Sequence, residues 1–158
     1  MTVREGGCSC GAVRYRLKAT PMITHCCHRT DCQKQTGGAF AINALIETLN
    51  IEMLSGEPIV IDMPSPSGRG HEIHRCAQCE VALWSDYGRR PYLRFVRVST
   101  LDEQHAIAPD VHIFVKSKVP WVRLPGDARA FEIFYDMKAE WPPEALARRD
   151  AASAAAKC

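Results

Sequence analysis

The chain has 158 residues, 46% of them hydrophobic and 24% charged, the make-up of one globular domain able to bury a core. A formal charge of +2, with basic residues scattered as in Arg14, Arg16 and Lys18 or Arg89, Arg90, Arg94 and Arg97, argues against a nucleic-acid partner. The opening Met1-Thr-Val-Arg-Glu-Gly-Gly lacks the apolar stretch of a signal peptide and no later apolar run reaches bilayer length, so no membrane partner is expected and the cytoplasm is the expected compartment.

In chain order, the first feature is Cys8-Ser-Cys10, where alternate residues of an extended strand would turn two thiols to one face. Val13, Tyr15 and Leu17 alternate with Arg14, Arg16 and Lys18, which predicts a half-buried strand. The segment His25-Cys26-Cys27-His28-Arg29-Thr30-Asp31-Cys32 then crowds thiols and imidazoles into eight residues. A short helix is predicted from about Asp31 to Thr36, with Thr30 capping its first amides and Gly37-Gly38 ending it. Cys32 in its first turn would face the positive end of the helix dipole, which favours the thiolate.

Period-two alternation returns at Phe40, Ile42 and Ala44, at Ile59 and Ile61, and at Phe131, Ile133 and Tyr135. Leu93 to Ser99 and Val111 to Val115 are also β-rich, and turn signals fall at Ser55-Gly56, Pro64 to Gly70, Tyr87-Gly88 and Pro125-Gly126. A CxxC pair, Cys76-Ala-Gln-Cys79, interrupts this series near mid-chain. The expectation is a mainly β, mostly antiparallel domain over residues 1–141. The Ala-rich tail 142–158, entered by Pro142-Pro143 and holding one large aliphatic residue, Leu146, is helical or frayed.

In a reducing compartment the eight cysteines read as metal ligands rather than disulfides, and seven of them fall in the three clusters above. Cys8, Cys10, Cys76 and Cys79 together would make a closed tetrahedral zinc site, structural because no position remains for a substrate. Cys158 reads as a free thiol without a role. His71, His74, His105 and His112 read as surface or core histidines, His112 in a hydrogen-bonded structural role, while Phe40 and Trp121 read as core.

Several motifs in a fixed order resemble the glutathione-dependent formaldehyde-activating enzymes, the centromere-protein-V/GFA domain family. They are Gly7-Cys-Ser-Cys-Gly-Ala-Val-Arg-Tyr15, Cys27-His28, Cys32-Gln33-Lys34-Gln35-Thr36-Gly37-Gly38-Ala39-Phe40 and Ser55-Gly56-Glu57-Pro58, then Cys76 to Cys79, Ser99 to Asp102, His112-Ile113 and Pro120-Trp121-Val122. The resemblance runs from about Gly6 to Trp141. It implies a β-tent fold with a structural zinc on the CxC and CxxC pairs, and a second zinc on a Cys-His-Cys-x-x-Cys segment. It also implies a carbon–sulfur lyase that joins glutathione and formaldehyde as S-(hydroxymethyl)glutathione.

Two positions depart from the family pattern. Laid on this chain, the second motif gives Cys27, position 29 and Cys32, but position 29 is Arg; and Glu80 stands where the family carries Gly. Two thiolates and a guanidinium make a poor zinc site, so the second site, if restored, would draw on His25, Cys26, His28 or Asp31. Alternatively, Arg29 stands in for part of the metal's charge and holds a thiolate or carboxylate of a glutathione-like ligand. The expected partners are thus a small thiol and a small aldehyde, with Cys27, Arg29 and Cys32 as the catalytic candidates. The rival expectation is a catalytically silent, zinc-stabilised binding module.

Overall fold

A computed structural model describes residues 2–158. Ten strands form two sheets: β1 (Arg4–Gly7), β2 (Arg14–Leu17), β3 (Ile23–Cys27), β4 (Ala41–Glu47), β5 (Ile51–Ser55), β6 (Ile59–Met63), β7 (His71–Arg75), β8 (Ala82–Tyr87), β9 (Leu93–Arg97) and β10 (Val111–Ile113). Helix α1 (Thr30–Thr36) follows β3, and α2 (Met137–Glu140) and α3 (Pro143–Ala155) close the chain. The smaller sheet has the order β1-β2-β5 and the larger the order β10-β3-β4-β9-β8-β7-β6. Every pairing is antiparallel except the parallel one between β10 and β3, which sets His112 opposite Cys26.

Side-chain alternation divides the core between the two faces of the large sheet. On one face Ala44, Ile46, Trp84 and Val96 pack against Tyr15 and Leu17 of the small sheet. On the other, Ile23, Leu45, Leu93, Phe95, Val111 and Ile113 pack against Tyr135, Trp141 and Ala145 from the C-terminal segment. Each large side chain buried in this way contributes roughly 1.5–3 kcal/mol. β3 is buried at all five positions because it has a core on each side.

Four expectations need correction. Phe131 to Tyr135 form no strand: Phe114 takes a left-handed conformation (φ 56°) just after β10, and the segment follows that bend through single bonds such as Phe114 N–H to Ile133 O. Trp121 is not core but 74% exposed, while Phe40 lies edge-on to His28. Thr30 does not cap α1; Arg29 holds the N-cap position, and no side chain caps the helix there. The CxC pair lies in the turn between β1 and β2, not in a strand. The tail is helical, and its Arg148 donates to both carboxylate oxygens of Glu47 at 2.7 and 2.8 Å and to the Thr20 carbonyl. None of the helices formed by the described residues is long and apolar enough to cross a membrane.

Candidate functional site

Two turns of similar build bring four sulfurs together. In each, the first cysteine's amide reaches across the turn, Cys8 to Val13 O and Cys76 to Val81 O, both at 3.1 Å. An amide then returns to each first sulfur, from Val13 at 3.3 Å and from Gln78 at 3.4 Å. The residue after each second cysteine is left-handed, Gly11 at φ 79° and Glu80 at φ 61°. The Sγ atoms of Cys8, Cys10, Cys76 and Cys79 all lie within 4.8 Å of one another, with Cys8–Cys10 at 3.5 Å and Cys10–Cys76 at 3.7 Å, a donor set that can hold a metal ion.

The second cluster is divided by strand geometry. His25 and Cys27 point from β3 into a cavity of about 580 Å³, whereas the ligand atoms of Cys26 and His28 gather with His112 of β10. Asp31 is exposed, outside the main cavity, 3.9 Å from the Arg29 guanidinium. None of the proposed substitutes meets both sulfurs: Cys26, next to Cys27 on the strand, turns to the opposite face with His28, Asp31 lies out on α1, and His25, though it shares the cavity, forms no ligand group with Cys27 and Cys32 among the described residues.

At the cavity wall Cys27 and Cys32 share an S–H···S contact of 3.1 Å. The Cys27 thiol, then Arg97, Tyr87 and Arg29, lower the Cys32 thiol below its ordinary value against the opposing effect of burial. Cys27 is pushed far up by the same partner. The lowered Cys32 thiol matches the direction expected from its place in α1, but its neighbours carry the effect. Arg97 is 4% exposed and donates to Asn43 Oδ1 at 2.6 Å, while its Nε and other terminal nitrogen have no protein acceptor. This residue escaped the sequence reading, although the alternation Leu93, Phe95, Arg97 placed a cation at an inward position.

Arg29 stacks its guanidinium over the Phe114 ring, 5.1 Å from the centroid, and among the described residues none accepts a hydrogen bond from it. His25 Nε2 meets the Tyr135 hydroxyl at 2.5 Å, and Trp141 Nε1 donates to that same oxygen at 2.7 Å. With the indole donating to one lone pair, the Tyr135 O–H donates to His25 in the tautomer that leaves Nε2 bare. Burial, then Arg90, pushes His25 down to about 4, so it is neutral and able to accept at pH 7.

A second zinc on Cys27 and Cys32 does not fit these residues. A Zn–S bond of about 2.3 Å sets sulfurs about 3.8 Å apart on a tetrahedron, whereas these two lie 3.1 Å apart, and position 29 supplies a guanidinium instead of a thiolate. Among the described residues no third donor lies within 4.8 Å of both sulfurs.

These features define a mainly β protein pinned by a four-cysteine cluster, with a two-thiol cavity on the far side of its larger sheet. The chain belongs to the family of glutathione-dependent formaldehyde-activating enzymes, whose sequence profile matches residues 3–117. A relative from Halomonas elongata, named "Putative glutathione-dependent formaldehyde-activating enzyme", is 31% identical over 145 residues, covering 87% of this chain and 92% of the relative. A crystal structure of a Rhodobacter sphaeroides protein superposes with a TM-score of 0.49 at 17% identity, over 66% of this chain and 91% of the other.

Proposed function

We propose that the protein is a carbon–sulfur lyase of the S-(hydroxymethyl)glutathione synthase type, joining and parting a small thiol and a small aldehyde beside Cys27, Arg29 and Cys32. The four-cysteine cluster is the structural zinc site in this proposal, since its 3.5 and 3.7 Å sulfur separations approach the tetrahedral edge of about 3.8 Å. That ion supplies a cross-link and no chemistry.

The supporting observation is the charge around the two sulfurs. Arg29, Arg69, Arg90 and Arg149 line the cavity and no Asp or Glu does. Such a wall suits a thiol that carries carboxylates, as glutathione does, and the fork of Arg29, held only by a 3.9 Å contact with exposed Asp31, can take one of them in bidentate fashion. Cys32, the thiol of the pair that its neighbours lower, takes the proton from the incoming thiol. The new thiolate attacks the aldehyde carbon, the C–S bond forms, and the alkoxide recovers the proton from Cys32. Reversal parts the adduct, and every proton is returned. The aldehyde reacts with thiols unaided, so proximity and thiolate supply are the enzyme's main contributions.

A second interpretation, a catalytically silent binding module, draws support from Arg29 at the place of a third cysteine ligand. Exchange NMR with carbon-13 formaldehyde and glutathione separates the two. The lyase should speed exchange, lose most of that effect in Cys32→Ser and require more glutathione in Arg29→Gln. Exchange unchanged by the wild-type protein would leave only the silent module.

A further inference from the structure

On the face of β3 turned away from the cavity, three side chains from two strands converge. Cys26 stands on β3 and His28 two residues on, so both serve one face; His112, the parallel partner of Cys26 on β10, completes the group. His28 Nε2 lies 3.5 Å from Cys26 Sγ and 3.0 Å from His112 Nδ1, and all three ligand atoms fall within 4.8 Å of one another.

A hydrogen-bond network alone serves this trio badly. The single site on His28 Nε2, whether one proton or one lone pair, faces two partners and can satisfy one of them well. His28 is fully buried and its Nδ1 has no partner among the described residues, so the surroundings do much to hold the ring. Those surroundings are firm: its amide donates to Ile113 O, its carbonyl accepts from Gln33 Nε2 and Ser117 Oγ, and Phe40 packs edge-on.

A cation resolves the conflict, because one ion can take all three donors together. Zinc–nitrogen and zinc–sulfur bonds of about 2.0–2.1 and 2.3 Å place N and S about 3.5 Å apart on a tetrahedron and two nitrogens about 3.3 Å apart. The observed 3.5 and 3.0 Å lie close to those edges. We infer that Cys26, His28 and His112 form a second metal site, for a divalent d-block cation of the zinc class, on the side of β3 opposite the thiol cavity. Three protein donors leave a fourth position, which half-buried His112 opens to water. Lys118 raises the electrostatic cost, but its ammonium is engaged by the carbonyls of Val119 and Val122. The site is independent of the lyase proposal and shares no ligand with it.

Metal analysis of the full-length protein after zinc loading and gel filtration tests the inference. Two zinc ions per chain are expected, falling to one in His112→Ala and in Cys26→Ala, and remaining two in Cys27→Ser and Cys32→Ser. Cobalt(II) provides the second measurement: the equivalent lost in His112→Ala should show the weaker charge-transfer absorption of a single thiolate, the other that of four. One ion per chain in the wild-type protein overturns the site. So does a second ion that survives His112→Ala but is lost with Cys27 or Cys32. His112 is the main variant because it is half-buried, and Cys26→Ala covers the case in which His112→Ala fails to fold.

Discussion

At the scale of single residues, the ionisation of Cys32 is a collective property. Cys27 lowers it most, and Arg97 comes next among the groups that do so. Replacing Arg97 by Gln should move the midpoint of Cys32 alkylation upward by about one pH unit or more, the usual effect of losing a neighbouring opposite charge. Mass spectrometry of iodoacetamide-treated protein in a Cys158→Ser background, across a pH series, measures it; an unmoved midpoint would remove Arg97 from the site. Glu80 offers a second test. Its φ of 61° costs a non-glycine residue roughly 1 kcal/mol, so Glu80→Gly should raise stability by up to about that amount in urea melts. Pairing of the CxC and CxxC cysteines was legible in the sequence because short spacing brings each pair of thiols together and the family resemblance joined the two pairs. Arg97 and the His25–Tyr135–Trp141 chain were not, since each joins residues whose proximity depends on tertiary packing.

At the scale of elements, α3 shows what composition fails to reveal. An Ala-rich segment with one large aliphatic residue has little to pack, yet it docks through Arg148 onto a largely buried Glu47. Burial alone would raise the Glu47 carboxyl, but the Arg148 fork and Asn50 bring it below its ordinary 4.5. A carboxyl lowered in the folded state contributes stability that is complete above pH 4.5 and lost as the pH falls through the folded value. Arg148→Ala should therefore cost roughly 2 kcal/mol at pH 7, less at acid pH, and should flatten the acid limb of the stability profile. Thermal melts between pH 3 and 7 follow this directly, and parallel curves for the two proteins would refute it. Strands β2, β4 and β6 were readable from period-two alternation and β9 and β10 from β-rich composition, whereas β1, β3, β5, β7 and β8 were not anticipated. Phe131 to Tyr135 carries the same alternation in sequence, yet Ile133 is exposed and no ladder forms, because apolar periodicity cannot show whether a neighbouring strand is there to pair with.

At the scale of the molecule, the four-cysteine cluster joins the turn that follows β1 to the turn that follows β7, tying the small sheet to the large one. Cys10 is exposed, so a chelator can reach an ion held by the cluster. Its removal should lower Tm by more than about 10 °C, as expected when several kcal/mol of metal-linked folding energy are lost from a domain of this size. Cys10→Ser should melt like the chelated protein and respond little to added chelator. A melt insensitive to both would show that the sheets hold together without the ion.

Neighbouring residues of β3 serve two unrelated groups, Cys27 beside the arginine-walled cavity and Cys26 with His28 and His112 behind it, kept apart only by the pleat. Deleting a single residue ahead of Ile23 would let the ribbon slip by one place and exchange the two sides: Cys26 would turn toward the arginines and Cys27 toward His112. For this protein, insertions and deletions upstream of that ribbon should be far less tolerated than substitutions within it, because one step of slippage rewrites both reactive surfaces together.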